Sequence, residues 1–155
     1  MATTSKTIEV LNDLIEINND RIAGFEKSIA DLDDNHAELK SLFQEYATQS
    51  RKNSQELTAL VASHAGEVET GKSVSGTIHR AWIDVKAAFG GSDAASILSE
   101  AERGEDAIKK AYKDAITEGE LSADVSSTVS TQAQEQVAAH DKIKALRDAA
   151  KLASY

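Results

Sequence analysis

The sequence predicts an all-α protein: a four-helix bundle with one long crossover connection that carries a short extra helix. Three observations predict it. Proline is absent from the 155 residues, and good helix formers such as Ala, Glu, Lys and Leu are abundant. Apolar residues recur at alternating three- and four-residue spacings over four long stretches, which puts them on one face of each helix. Two of the gaps between those stretches are tight turns, whereas the third runs from Gly66 to Ser92.

The first helix is expected from about Ser5 to Leu32. Its stripe is Ile8, Leu11, Ile15, Asn18, Ile22, Phe25, Ile29 and Leu32, with Asn18 as the one polar member. A second short stripe, Val10, Leu14 and Ile17, widens the apolar face toward another helix or a partner subunit. Asp33-Asp34-Asn35 interrupts the pattern, and Asn35 with Glu38 resembles a capping box at the start of the second helix. That helix runs to about Ala65, ahead of Gly66 as C′ residue, with the stripe Leu39, Phe43, Tyr46, Ser50, Asn53, Leu57, Leu60 and His64. Helices joined by so short a turn pack antiparallel.

Gly66 to Ser75 reads as a loop, and Thr77 to Phe89 as a short helix with Ile78, Trp82, Val85 and Phe89 on one face. Gly90-Gly91 ends it, and Ser92 or Asp93 caps the third long helix, expected over Asp93 to Glu118. Its stripe is Leu98, Ala101, Glu105, Ile108, Tyr112 and Ala115. Gly119 stops it. The fourth helix is expected from about Ser122 to Leu152, with Val125, Val129, Gln132, Gln136, His140, Ile143, Arg147 and Ala150 in line. A connection as long as Gly66 to Ser92 can travel the height of such a bundle, roughly 40 Å. That is the single-crossover arrangement of ferritin-like folds. The rival reading fuses the short helix with the third into one kinked rod, which Gly90-Gly91 opposes.

The length suits a single domain over residues 1–155. Lys and Arg number 17 against 26 Asp and Glu, a net charge of −9 that argues against nucleic acid or an anionic membrane as partner. No apolar run approaches the roughly 18 residues of a membrane span. The N-terminal residues show no secretory pattern, so a cytoplasmic location is expected. Cysteine is absent, which removes disulfides, thiolate metal sites and cysteine nucleophiles together.

The informative feature is polar. Asn18, Ser50, Asn53, Glu105, Gln132, Gln136 and His140 all interrupt apolar stripes near mid-helix. Asn18 lies 15 residues before Asp33 and Ser50 lies 15 after Asn35; Glu105 lies 14 before Gly119 and Gln136 lies 14 after Ser122. One shared polar layer is therefore expected inside the bundle. A hydrogen-bonded layer of this kind fixes helix register and pairing at some cost in stability. The competing reading is a metal site using Glu45, Glu56, Glu105 and His140, since carboxylates and imidazole are what di-metal bundles use. Those sites need Glu-x-x-His pairs, and none of His36, His64, His79 or His140 has a Glu three residues before it. A metal ion is the one cofactor left open.

Gly66-Glu67-Val68-Glu69-Thr70-Gly71-Lys72-Ser73 matches the P-loop pattern by letter. A P-loop follows a buried strand, whereas here a helix precedes it and Glu67 and Glu69 would repel phosphate. No nucleotide is expected. Trp82 is read as the anchor of its short helix on the bundle.

The segments Ile8-Glu9-Val10-Leu11-Asn12-Asp13-Leu14-Ile15-Glu16, His79-Arg80-Ala81-Trp82-Ile83, Glu102-Arg103-Gly104-Glu105-Asp106 and His140-Asp141-Lys142-Ile143 resemble a bacterial family. Its members are ferritin-like four-helix-bundle proteins containing a domain of unknown function. The resemblance spans almost the whole chain, with Glu-Arg-Gly-Glu-Asp its most specific part. It implies a ferritin-like bundle in a bacterial cytoplasm and supplies no activity. The expectation is a non-catalytic bundle of structural or stress-related role, forming a homo-oligomer. The alternative is a ferritin-like protein that binds iron, manganese or zinc, with ferroxidase-type activity.

Overall fold

A computed structural model describes residues 2–32, 36–64, 94–118 and 121–153. They form four helices, α1 (Ala2–Asp31), α2 (Ala37–Ser63), α3 (Ala94–Glu118) and α4 (Ala123–Ala153), with no strand among the described residues. None of these helices is long and apolar enough to cross a membrane. The expected short helix over Thr77 to Phe89, Trp82 and the P-loop-like stretch Gly66 to Ser73 all lie outside the described residues, as does Asn35. At the N-cap of α2 stands His36, which makes no side-chain cap hydrogen bond.

Side-chain pairs give the direction of every helix. From Arg21–Ser50 to Asn19–Ser54 the two chains run oppositely, so α1 and α2 are antiparallel. Arg21–Glu105 and Asn18–Tyr112 make α1 and α3 antiparallel, and Gln132–Glu56 with His64–Asp124 do the same for α2 and α4. Tyr112–Gln132 and Glu102–His140 complete the set for α3 and α4. The order around the bundle is α1, α2, α4, α3, running up, down, up, down. In chain order that is up-down-down-up. With α2 and α3 parallel and on a diagonal, the chain leaves α2 at one end of the bundle and enters α3 at the other. These helix directions are those a single-crossover bundle requires; residues 65–93, on which the expected crossover falls, lie outside the described residues.

The core is divided. At the end holding the α1–α2 turn, Phe25, Leu32, Phe43, Tyr46, Ile97, Leu98 and Ile143 form one buried cluster. At the other end, Leu11, Leu14, Ile15, Ile17, Leu57, Val61, Ile108, Tyr112, Val125 and Val129 form a second. Phe25 packs on Phe43 and Tyr46 with ring centroids 5.0 and 5.6 Å apart. Asn18, Arg21, Ser50, Asn53, Glu105, Gln132 and Gln136 are buried between these clusters.

The innermost line of α1 is not the one its isoleucines suggest. Thr7, Leu11, Leu14, Asn18, Arg21, Phe25, Ser28 and Leu32 are all buried and keep a strict four-three alternation. Ile8, Ile22 and Ile29 flank this line and are only partly buried, while Ile15 is buried beside it. Three further polar side chains thus join Asn18 on the inward line, and a search for apolar periodicity passes over them. Leu14 and Ile17, expected on a second face, are inside the core.

Candidate functional site

Arg21 organises the centre. It is among the largest fully buried side chains, and its guanidinium and the Glu105 carboxylate are both 0% exposed. Arg21 Nε donates to Glu105 Oε1 at 2.8 Å and Nη2 to Oε2 at 3.3 Å, the forked pairing that suits guanidinium and carboxylate. Nη1 donates to Gln49 Oε1 and to Ser50 Oγ, each at 2.9 Å. The guanidinium carbon lies 5.3 Å from the ring centroids of both Phe25 and Tyr46, close enough for cation–π attraction in a dry setting. Gln136 Nε2 also donates to Glu105 Oε2. A buried carboxylate is costly unless paired and hydrogen-bonded; here both oxygens are taken and the charge is matched.

A second tier lies beside it. Asn18 Nδ2 donates to the Leu14 carbonyl at 2.9 Å and to the Tyr112 hydroxyl at 2.8 Å. That hydroxyl donates on to Gln132 Oε1 at 2.8 Å, and Gln132 Nε2 reaches Glu56 at 3.0 Å and the Asn53 carbonyl at 3.4 Å. Tyr112 is two helical turns from Glu105, yet its side chain leans toward the N-terminus of α3 and brings the hydroxyl back to this level. The chain of donors points one way, from Asn18 through Tyr112 and Gln132 to Glu56. Three carbonyl oxygens, on Asn18, Asn53 and Gln136, are buried with no partner among the described residues.

These surroundings shift the phenols. Burial pushes Tyr46 up to about 12, with the Glu105 charge adding to the rise and Arg21 opposing it. Burial also raises Tyr112 well above the ordinary value, against the opposing hydrogen bond from Asn18.

All seven residues expected in the polar layer are buried: Asn18, Ser50, Asn53, Glu105, Gln132, Gln136 and His140. They occupy neighbouring levels and not a single one. Arg21, Ser50, Glu105 and Gln136 meet in one tier, Asn18, Asn53 and Gln132 in the next. His140 stands apart, on the α3–α4 seam. Its Nε2 lies 3.2 Å from Glu102 and 3.0 Å from Asp106, and its Nδ1 lies 3.0 Å from Asp141. The Asp141 carboxyl is held below the usual range by that hydrogen bond from His140.

The four groups considered for a metal, Glu45, Glu56, Glu105 and His140, are not brought together. Glu45 is exposed on the rim of a shallow groove with Leu39, Leu42, Leu98 and Leu146. Glu56 accepts from Gln132, Glu105 is held by Arg21 and Gln136, and His140 faces Glu102 and Asp106. Arg21 is the residue that sequence reasoning missed. Two signals pointed to it: its place on the four-three line through Asn18 and Phe25, and the need of an inward Glu105 for a cation.

No curated protein matches the chain. A family match covers residues 6–118, taking in α1, α2 and α3 with Arg21, Ser50 and Glu105, and stopping before Gln136 and His140. On that match the chain belongs to the family described as domain of unknown function DUF2383.

Proposed function

We propose that this chain is a ferritin-like four-helix bundle with a structural, non-catalytic role. The observation that carries this reading is the Arg21–Glu105 pair. The carboxylate best placed to ligate a metal or act as an acid at the centre is neutralised by the protein's own guanidinium and capped by Gln136. A ferroxidase-type centre needs carboxylates free to coordinate iron between the helices. Here the equivalent space is taken up by an ion pair that fixes how α1, α2, α3 and α4 meet. The up-down-down-up order supports the ferritin-like shape, and the net charge of −9 supports a partner other than nucleic acid or an anionic membrane.

Metal analysis of protein purified without chelator tests the reading. The expected result is that no iron, manganese or zinc is retained through Glu105: wild type and Glu105→Gln carry the same metal content. Stoichiometric metal that disappears in a folded Glu105→Gln variant would overturn it. Circular dichroism establishes that the variant is folded.

A further inference from the structure

We propose that Glu102, Asp106 and His140 form a binding site for a single divalent transition-metal ion of the zinc or cobalt class on the α3–α4 seam. Their ligand atoms lie within 4.8 Å of one another, the one such grouping among the described residues. Glu102 and Asp106 are four residues apart on α3, so both reach the same side of the helix, and His140 meets them from α4. The imidazole is 6% exposed and held in place, whereas Asp106 is 62% exposed, which leaves a path for an ion to enter from solvent.

The outer contacts are those that orient metal ligands. Asp141 lies 3.0 Å from Nδ1 of His140, the nitrogen facing away from the carboxylates. In a metal-bound form, a carboxylate there keeps the proton on Nδ1 and leaves Nε2 to ligate alongside Glu102 and Asp106. The ion would take the place of the proton that Nε2 otherwise shares with those two carboxylates, 3.2 and 3.0 Å away. On the far side of Glu102, Arg147 Nη1 holds Oε2 at 3.0 Å and leaves Oε1 turned toward His140.

One imidazole with two carboxylates suits a borderline ion that accepts mixed nitrogen and oxygen donors. Magnesium and calcium prefer oxygen alone. The site stands outside the Arg21–Glu105 tier and does not depend on whether that tier is only structural.

Titration of the full chain with Co2+, read by visible absorption, and with Zn2+, read by calorimetry, tests the proposal. One equivalent is expected to bind. Asp106→Asn, at an exposed position that the fold tolerates, should weaken binding by at least roughly tenfold, and Glu102→Gln likewise. Glu105→Gln should leave it unchanged, which separates this site from the bundle centre. Absence of saturable binding up to about 1 mM metal, or an affinity unaltered in both Asp106→Asn and Glu102→Gln, would overturn it.

Discussion

Removing one partner of the Arg21–Glu105 pair should cost far more than removing both. In Arg21→Met, Glu105 keeps only the Gln136 amide and retains a buried charge without a counter-ion, and Gln49 loses its donor. In Glu105→Leu, the guanidinium keeps Gln49 and Ser50 but its charge is unmatched, and Gln136 Nε2 loses its acceptor. Both partners are 0% exposed, so the figure for breaking a buried pair applies, about 3–5 kcal/mol for each single variant. For a chain of 155 residues each kcal/mol shifts the melting temperature by roughly 2–4 °C, so each single change should lower it by about 6–20 °C. The double variant exchanges the pair for apolar side chains of similar length. It leaves no unmatched charge, so although Gln49, Ser50 and Gln136 each lose a partner it should unfold within about 2 kcal/mol of wild type. Urea unfolding of the four proteins closes the cycle, given a constant slope. Single losses below about 1 kcal/mol that simply add in the double variant would refute the reasoning, because a surface pair behaves that way.

Spectrophotometric titration should find the Tyr46 and Tyr112 phenols un-ionised through pH 10–11. Because folding raises both above the unfolded value near 10, their contribution is complete below pH 10 and is lost as pH rises through the folded values, Tyr46 near 12 and Tyr112 higher. The protein should therefore lose stability on the alkaline side, and ionisation of both at pH 10 without unfolding would contradict this. Tyr112→Phe removes the hydroxyl between Asn18 and Gln132 and should cost about 1–3 kcal/mol in the same urea assay. A neutral or stabilising outcome would show that the second tier is not a connected network.

The helices were legible because apolar spacing and glycine placement are local properties. α3 spans Ala94–Glu118 where Asp93 to Glu118 was expected, and its stripe of Leu98, Ala101, Glu105, Ile108, Tyr112 and Ala115 is buried throughout. Helix lengths and matched distances from the turns were enough to put the polar residues near one another. Two things lay beyond that reasoning. Arg21 belongs to a line whose inward position is set by three neighbouring helices, not by its own hydrophobicity. The long side chains of Arg21 and Tyr112 also reach across levels that residue spacing treats as separate, which splits the expected single layer into tiers. Glu102 and Asp106 lie in the Glu-Arg-Gly-Glu-Asp stretch that stands out in the sequence, but nothing local pairs them with His140. Only the docking of α4 gives them an imidazole to face.

The central claim is that Arg21 is locked inside the bundle on Glu105. The most direct test is the Arg21 Nε–H resonance in a nitrogen–proton NMR spectrum at neutral pH, assigned by its loss in Arg21→Met. A sharp signal, protected from exchange with water and perturbed by Glu105→Gln, is the predicted result. An Nε–H that exchanges as fast as a solvent-exposed arginine would contradict the account.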